Sequence, residues 1–121
     1  MRIERQVEDG IVILSVSGVL GDDDLSSIAT QLEQDPEIKP NFSLLIDLRQ
    51  ADGRSVTSAG VRGLAERSLV LSSTSRRAVV VPSPLGFGMA RMYETLREGR
   101  GAVHVFRDFD EARRWLAASS Q

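Results

Sequence analysis

Thr57 and Ser58 stand immediately ahead of Ala59-Gly60-Val61-Arg62-Gly63-Leu64, and the apolar spacing from Val61 onward predicts a helix. A hydroxyl at such a start can accept a backbone N–H of the first turn, a cap worth about 1 kcal/mol. The same hydroxyl is a place where a phosphate would gain from the helix dipole and the free N–H groups. It would bring a charge of about −1.5 to −2 to the surface it occupies. Upstream, Leu44-Leu45-Ile46 reads as a buried strand that ends on Asp47, with a polar loop leading to the hydroxyls. Asp47, Thr57, Ser58 and Gly60 are therefore expected at the carboxyl edge of a sheet, where α/β proteins usually meet ligands and partners.

A second constellation, Gly86-Phe87-Gly88-Met89-Ala90-Arg91, follows a strand and opens a helix, so it imitates a dinucleotide-binding loop. The imitation fails at Arg91, because the third glycine of that fingerprint lets helix and strand pack closely and arginine cannot. Pro82 and Pro84 also interrupt the turn. Here the glycines let the chain pass close to a neighbouring loop or to a ligand. Gly86, Gly88, Met89, Arg91 and Tyr93 form the candidate ligand-binding set. The planar fork of Arg91 suits a carboxylate or phosphate headgroup, and equally suits a neighbouring acid. Met89, Met92 and Tyr93 have the spacing of core residues.

Other chemistry is excluded by what is missing. Asp47 has the place of a phosphoacceptor in a receiver domain, but no acidic pair follows the first strand and no lysine lies at the fifth. Asp22-Asp23-Asp24 point in different directions from a helix start and suit the positive end of its dipole rather than a metal. His104 is the single histidine, mid-strand, and there is no cysteine. No nucleophile, base and orienting group can be assembled, so the chain is not expected to be an enzyme or to need a cofactor.

These residues are carried by a regular alternation of elements. Arg2 to Val7 and Ile11 to Val16 read as strands joined at Asp9-Gly10, a strong hairpin signal. Gly18 and Gly21 then break the chain. A helix follows with Leu25, Ile28, Ala29 and Leu32 on one face. Phe42 to Leu48 is a third strand, about Thr57 to Ser72 a second helix, and Arg77 to Val81 a fourth strand. Pro84 starts a third helix. Ala102 to Phe106 is a fifth strand, and Asp108 or Asp110 caps a last helix carrying Trp115 and Leu116. Strands joined through single helices must be parallel, so one mixed five-stranded α/β sheet is expected, with an antiparallel opening hairpin and about four helices.

The chain has 121 residues, 41% of them hydrophobic, enough for one domain over 1–121 with a core that needs no disulfide. Its net charge of −2 gives no concentrated basic face, so no nucleic-acid binding is expected. No apolar run approaches the roughly 20 residues that span a bilayer, and Met1-Arg2-Ile3-Glu4-Arg5 lacks the apolar core of a signal peptide. The expectation is a cytoplasmic protein, monomeric or homodimeric. Arg2, Glu4 and Arg5 would discourage pairing along an edge strand.

The element order resembles the SpoIIAA-like fold of the STAS (sulfate transporter and anti-sigma-factor antagonist) superfamily over the whole chain. In the antagonists a strand ending in Asp-Leu precedes Asp-Ser-Ser-Gly-Leu-Gly at a helix start, and a partner kinase phosphorylates one of those serines. Ile46-Asp47-Leu48 and Thr57-Ser58-Ala59-Gly60-Val61 look like these two motifs, with Thr57 in place of the aspartate and Ala59 in place of one serine. Arg77-Ala78-Val79-Val80-Val81, the stretch from Gly86 to Glu94, and Val105-Phe106-Arg107-Asp108 resemble bacterial SpoIIAA-like proteins of unassigned role. The resemblance implies a non-enzymatic regulatory module that docks another protein, a kinase or an anti-sigma-like regulator, through Asp47–Gly60. The same group is likened to CRAL-TRIO lipid-transfer domains. That likeness implies the alternative of a small apolar ligand or acyl chain with Arg91 near its headgroup.

Overall fold

The computed structural model describes residues 1–67 and 75–118, apart from the Leu85 side chain. Strand β1 (Arg2–Glu8) turns into β2 (Ile11–Gly21) through Asp9 and Gly10, whose φ angles are 51° and 77°. Both are positive, as this tight hairpin demands. Then follow α1 (Asp22–Gln34), β3 (Ser43–Ser55), α2 (Ser58–Ala65), β4 (Arg76–Val80), α3 (Pro84–Leu96), β5 (Ala102–Phe106) and α4 (Phe109–Ala118).

The sheet runs β1-β2-β3-β4-β5. Its first pair is antiparallel and the others are parallel. Each new parallel strand lies beside the last, so right-handed crossovers stack α1, α2 and α3 on one face. Side-chain parity agrees with that arrangement. Val12, Leu14, Leu44 and Ile46 pack with Ile28 and Leu32 of α1, while Val61 and Ala65 of α2 meet Tyr93 of α3. The intervening residues Ile11, Ile13, Leu45, Ala78 and Val80 face the other way, onto Ala112 and Leu116 of α4.

Two strands outrun their apolar segments. β2 was expected to end at Val16 and β3 at Leu48, yet they stay paired as far as Gly21 and Ser55. β4 matches β3 only over Leu44–Asp47, so the later part of β3 is an overhang with β2 on one side. Gly18 does not break the strand; it continues at φ 91°, which only glycine adopts without strain.

The overhang contains two bulges, where the register slips between Ser15 and Ser17 and between Val19 and Gly21. An Asp-x-Arg triplet sits at each slip. The Asp47 carboxylate accepts the Arg49 backbone N–H (3.1 Å) and both arms of its guanidinium (2.9 Å each). Asp52 does the same for Arg54, at 3.1 Å from its N–H and 2.7 Å from its Nη2. Each triplet satisfies a backbone N–H that the ladder has dropped and places charge along the edge that β4 leaves open.

α2 is shorter than its periodicity suggests. Glu66 and Arg67 leave the helix with their N–H groups bonded to Arg62 and Leu64 carbonyls. The rest of the expected helix, including Leu69 and Ser72, lies outside the described residues.

Candidate functional site

Thr57 is the N-cap of α2, and its Oγ1 accepts the Gly60 N–H at 3.2 Å. Its own N–H and hydroxyl both donate to a carboxylate from another helix, Asp22 at the start of α1. The Thr57 N to Asp22 Oδ1 distance is 2.8 Å. Gly60 makes this approach possible: a Cβ there would lie 2.1 Å from Asp22 Oδ1 and 2.4 Å from its Cγ. Donation from Thr57, by side chain and backbone, holds the Asp22 carboxyl below the usual aspartate range. Ser58, the first helical residue, is exposed, and its hydroxyl has no part in the cap.

The acidic triplet is therefore divided. Asp24 reaches back to the Gly21 N–H at 2.8 Å and caps α1, Asp23 faces solvent, and Asp22 serves a different helix.

The far end of α2 is held as firmly. Arg67 forks onto Glu33 of α1 at 2.7 and 2.8 Å and also reaches Thr30. Arg97, at the end of α3 and only 5% exposed, donates to the carbonyls of Ala65, Arg67 and Arg100 at 3.0, 3.3 and 2.9 Å. A cation there complements the negative end of the α2 dipole. Burial, reinforced by the like charge of Arg77, pushes the Arg97 pKa down. Arg77 in turn donates to the Tyr93 hydroxyl at 2.7 Å.

Between these polar ties α2 bridges a partly open apolar space of about 110 Å³. Ile28 of α1, Ile46 and Val79 of the sheet, Val61 and Leu64 of α2, and Met89 and Tyr93 of α3 line it. A wider depression of about 360 Å³ opens beside it at the carboxyl rim, between Ala51–Arg54 and Val81–Ser83. Leu20, Leu48, Gly53 and Gly86 border both spaces.

The expected site residues thus fall into four places. Thr57, Ser58 and Gly60 share the start of α2. Gly86, Met89 and Tyr93 line the apolar space; the Gly86 N–H also caps α3 through Ser83 Oγ at 3.1 Å. Gly88 is exposed, with nothing within 4 Å of where a Cβ would lie, and Arg91 lies on the outer side of α3. The Arg91 guanidinium pairs with Glu94 at 3.3 Å and hangs over the Phe87 ring, away from the cavity lining.

Asp47 stands apart from all of them. It follows Leu45 on the α4 side of the sheet, and its partner Arg49 covers the Phe109 ring at 4.5 Å. Burial raises the Asp47 carboxyl pKa, but the hydrogen bonds and charge of Arg49 outweigh it and leave it lowered. His104 is exposed on β5, with its ring 4.7 Å from Trp115 and its Nδ1 3.7 Å from Glu94.

Asp22, Arg67 and Arg97 were not among the expected site residues. The triplet Asp22-Asp23-Asp24 was a visible signal, but only the adjacency of β2 and β3 brings the starts of α1 and α2 together.

No protein-family profile matches the chain. No curated protein matches it either. Its fold is similar to the crystal structure of an uncharacterised protein of the DUF3478 family, with a SpoIIAA-like fold, from Shewanella loihica PV-4. The TM-score is 0.62 with 19% sequence identity, over 95% of this chain and 92% of the other. The chain has a SpoIIAA-like fold.

Proposed function

We propose that this chain is a non-enzymatic docking module for another protein. Its working surface is the start of α2 with the adjoining β3 overhang, Asp52 to Gly60. The observation that carries this reading is the exposed Ser58 hydroxyl, without a hydrogen bond among the described residues, next to Thr57, which holds a carboxylate from α1, and two residues before Gly60, whose missing side chain leaves that carboxylate room. Charge added at Ser58 would alter both the surface and its support. The partner is a kinase or an anti-sigma-like regulator, as the resemblance of Thr57-Ser58-Ala59-Gly60 to the antagonist motif implies. Asp47, on the α4 side, supports the β3 overhang through Arg49 rather than meeting that partner.

The apolar space under α2 favours a second reading, a small apolar ligand. An engineered 150 Å³ apolar cavity stays dry and accepts benzene. A space of about 110 Å³ therefore suits a compact hydrocarbon group better than a full acyl chain. The headgroup role of Arg91 is not part of this reading, because that side chain is turned outward.

Native mass spectrometry of the chain purified from its own host separates the two. A protein partner retained by wild type and lost in Ser58→Asp, with the variant fully folded, supports docking. A retained mass of small-molecule size, lost when Val61→Phe fills the space, supports the ligand. Equal partner retention by wild type and Ser58→Asp removes the docking surface.

A further inference from the structure

We infer that β5 is the pairing edge of a symmetric dimer, in which two copies of this chain join their sheets antiparallel about His104. The inference is independent of the docking surface and of the apolar space, since it rests on the backbone of the last strand.

β5 closes the strand order, so one side of its backbone meets no other strand. Its register with β4 runs from Arg76↔Ala102 to Val80↔Phe106 without a bulge. The Phe106 carbonyl accepts the Val81 N–H at 3.0 Å, so Phe106 turns its backbone groups toward β4. Backbone direction alternates along a strand, and Ala102 and His104 therefore turn theirs inward as well. The N–H and C=O groups of Val103 and Val105 point outward, and none of the described bonds between elements uses them. Such a row of unused groups is a template for a further strand.

Nothing along β5 blunts that template. The opposite edge of the sheet carries Arg2, Glu4 and Arg5, with Arg2 and Glu4 paired at 3.2 Å. From Ala102 to Phe106 there is no acid, no arginine or lysine, no proline and no glycine. Ala102 and His104 stay exposed although α4 lies on their side of the sheet.

The spacing of the outward groups selects a second copy as the occupant. A twofold axis at His104 sets Val103 opposite Val105 of the other copy, so each outward N–H meets an outward carbonyl. That is the hydrogen-bonded pair of an antiparallel ladder, and His104 opposite itself is the non-bonded pair between two of them. The side chains suit the same axis. The valines form β-branched cross-strand pairs, and the small Ala102 faces the larger Phe106. The His104 ring, 4.7 Å from Trp115 and 6.3 Å from Phe106, joins the ring cluster of one copy to that of the other. Arg100 and Asp108 lie equally far before and after His104, so opposite charges meet at each end of the seam. Arg100 takes part in none of the described ion pairs.

A seam this short buries little area, so the expected dissociation constant is on the order of 10–100 µM. Sedimentation equilibrium over a range that brackets this constant should show the 13.3 kDa chain passing to twice its mass. His104→Glu sets like charges opposite one another on the axis at an exposed position, and it is expected to raise the constant at least about tenfold. Val105→Pro removes an outward N–H that the β4 ladder does not use, and it should weaken the dimer at least as much. Amide exchange read by NMR locates the seam in the unmodified chain: Val103 and Val105 should become protected as concentration rises. Should Val105→Pro fail to fold, His104→Glu and the exchange data decide. A single 13.3 kDa species at every concentration, a dimer unaffected by His104→Glu, or protection that grows elsewhere than on β5 overturns the inference.

Discussion

Arg97→Ala is expected to destabilise the fold by about 3 kcal/mol in urea titration, the largest effect of any polar substitution discussed for this chain. The side chain is 5% exposed and gives donors to three backbone carbonyls, two of them at the end of α2. Truncation removes those bonds and leaves the Ala65, Arg67 and Arg100 carbonyls without these donors. Hydrogen bonds from charged groups contribute about 1.5–3 kcal/mol each, but they are offset by the desolvation that already lowers the Arg97 pKa. The net is therefore closer to one such bond than to three. Arg97→Met, which keeps the stem and drops the charge, is expected to recover about half of the loss. A cost below about 1 kcal/mol for Arg97→Ala would mean that the end of α2 is not held in this way.

Gly60→Ala and Gly63→Ala should move stability in opposite directions although both lie in the same helix. Alanine is favoured over glycine by up to about 1 kcal/mol inside a helix, and position 63 has nothing within 4 Å of an added Cβ. Gly63→Ala is expected to stabilise by about 0.5–1 kcal/mol. At position 60 the methyl group would fall on Asp22. That side chain can rotate away only by giving up both bonds to Thr57, leaving the cap with its bond to Gly60 alone. Gly60→Ala is expected to cost about 1 kcal/mol net, after the propensity gain. Adding Asp22→Ala should cancel most of the difference between the two glycine variants, since the obstacle is gone. Equal stabilisation by both would show that Asp22 does not rest on α2.

The elements that were legible in the sequence are those with a local cause. Asp9-Gly10 dictates its hairpin because both positions need positive φ. Pro84 opens α3, and Ala102–Phe106 forms the strand its apolar residues describe. The overhang of β3 was not legible, because Ala51-Asp52-Gly53-Arg54 has no strand pattern. Those residues are extended because β2 runs beside them, and the hydrogen bonds of a ladder do not depend on side chains.

The same reasoning explains the site. That Thr57 or Ser58 would cap α2 followed from local spacing; that Thr57 is the cap and Ser58 the exposed hydroxyl did not. The carboxylate that meets them comes from a residue far upstream, and only the strand order places it there. Met89 and Tyr93 were recognisable as interior-facing. Whether they would meet a neighbouring side chain or a space depended on how α2 is suspended, which Arg67 and Arg97 decide from outside the helix.

The docking surface is tested most directly by amide-shift mapping of the isotopically labelled chain with the protein that co-purifies from its host. Shifts centred on Asp52–Val61 and on Asp22–Asp24, and absent when Ser58→Asp is used, are the predicted result. Shifts centred on α4 or on the outer edge of β1, with the start of α2 undisturbed, would contradict it.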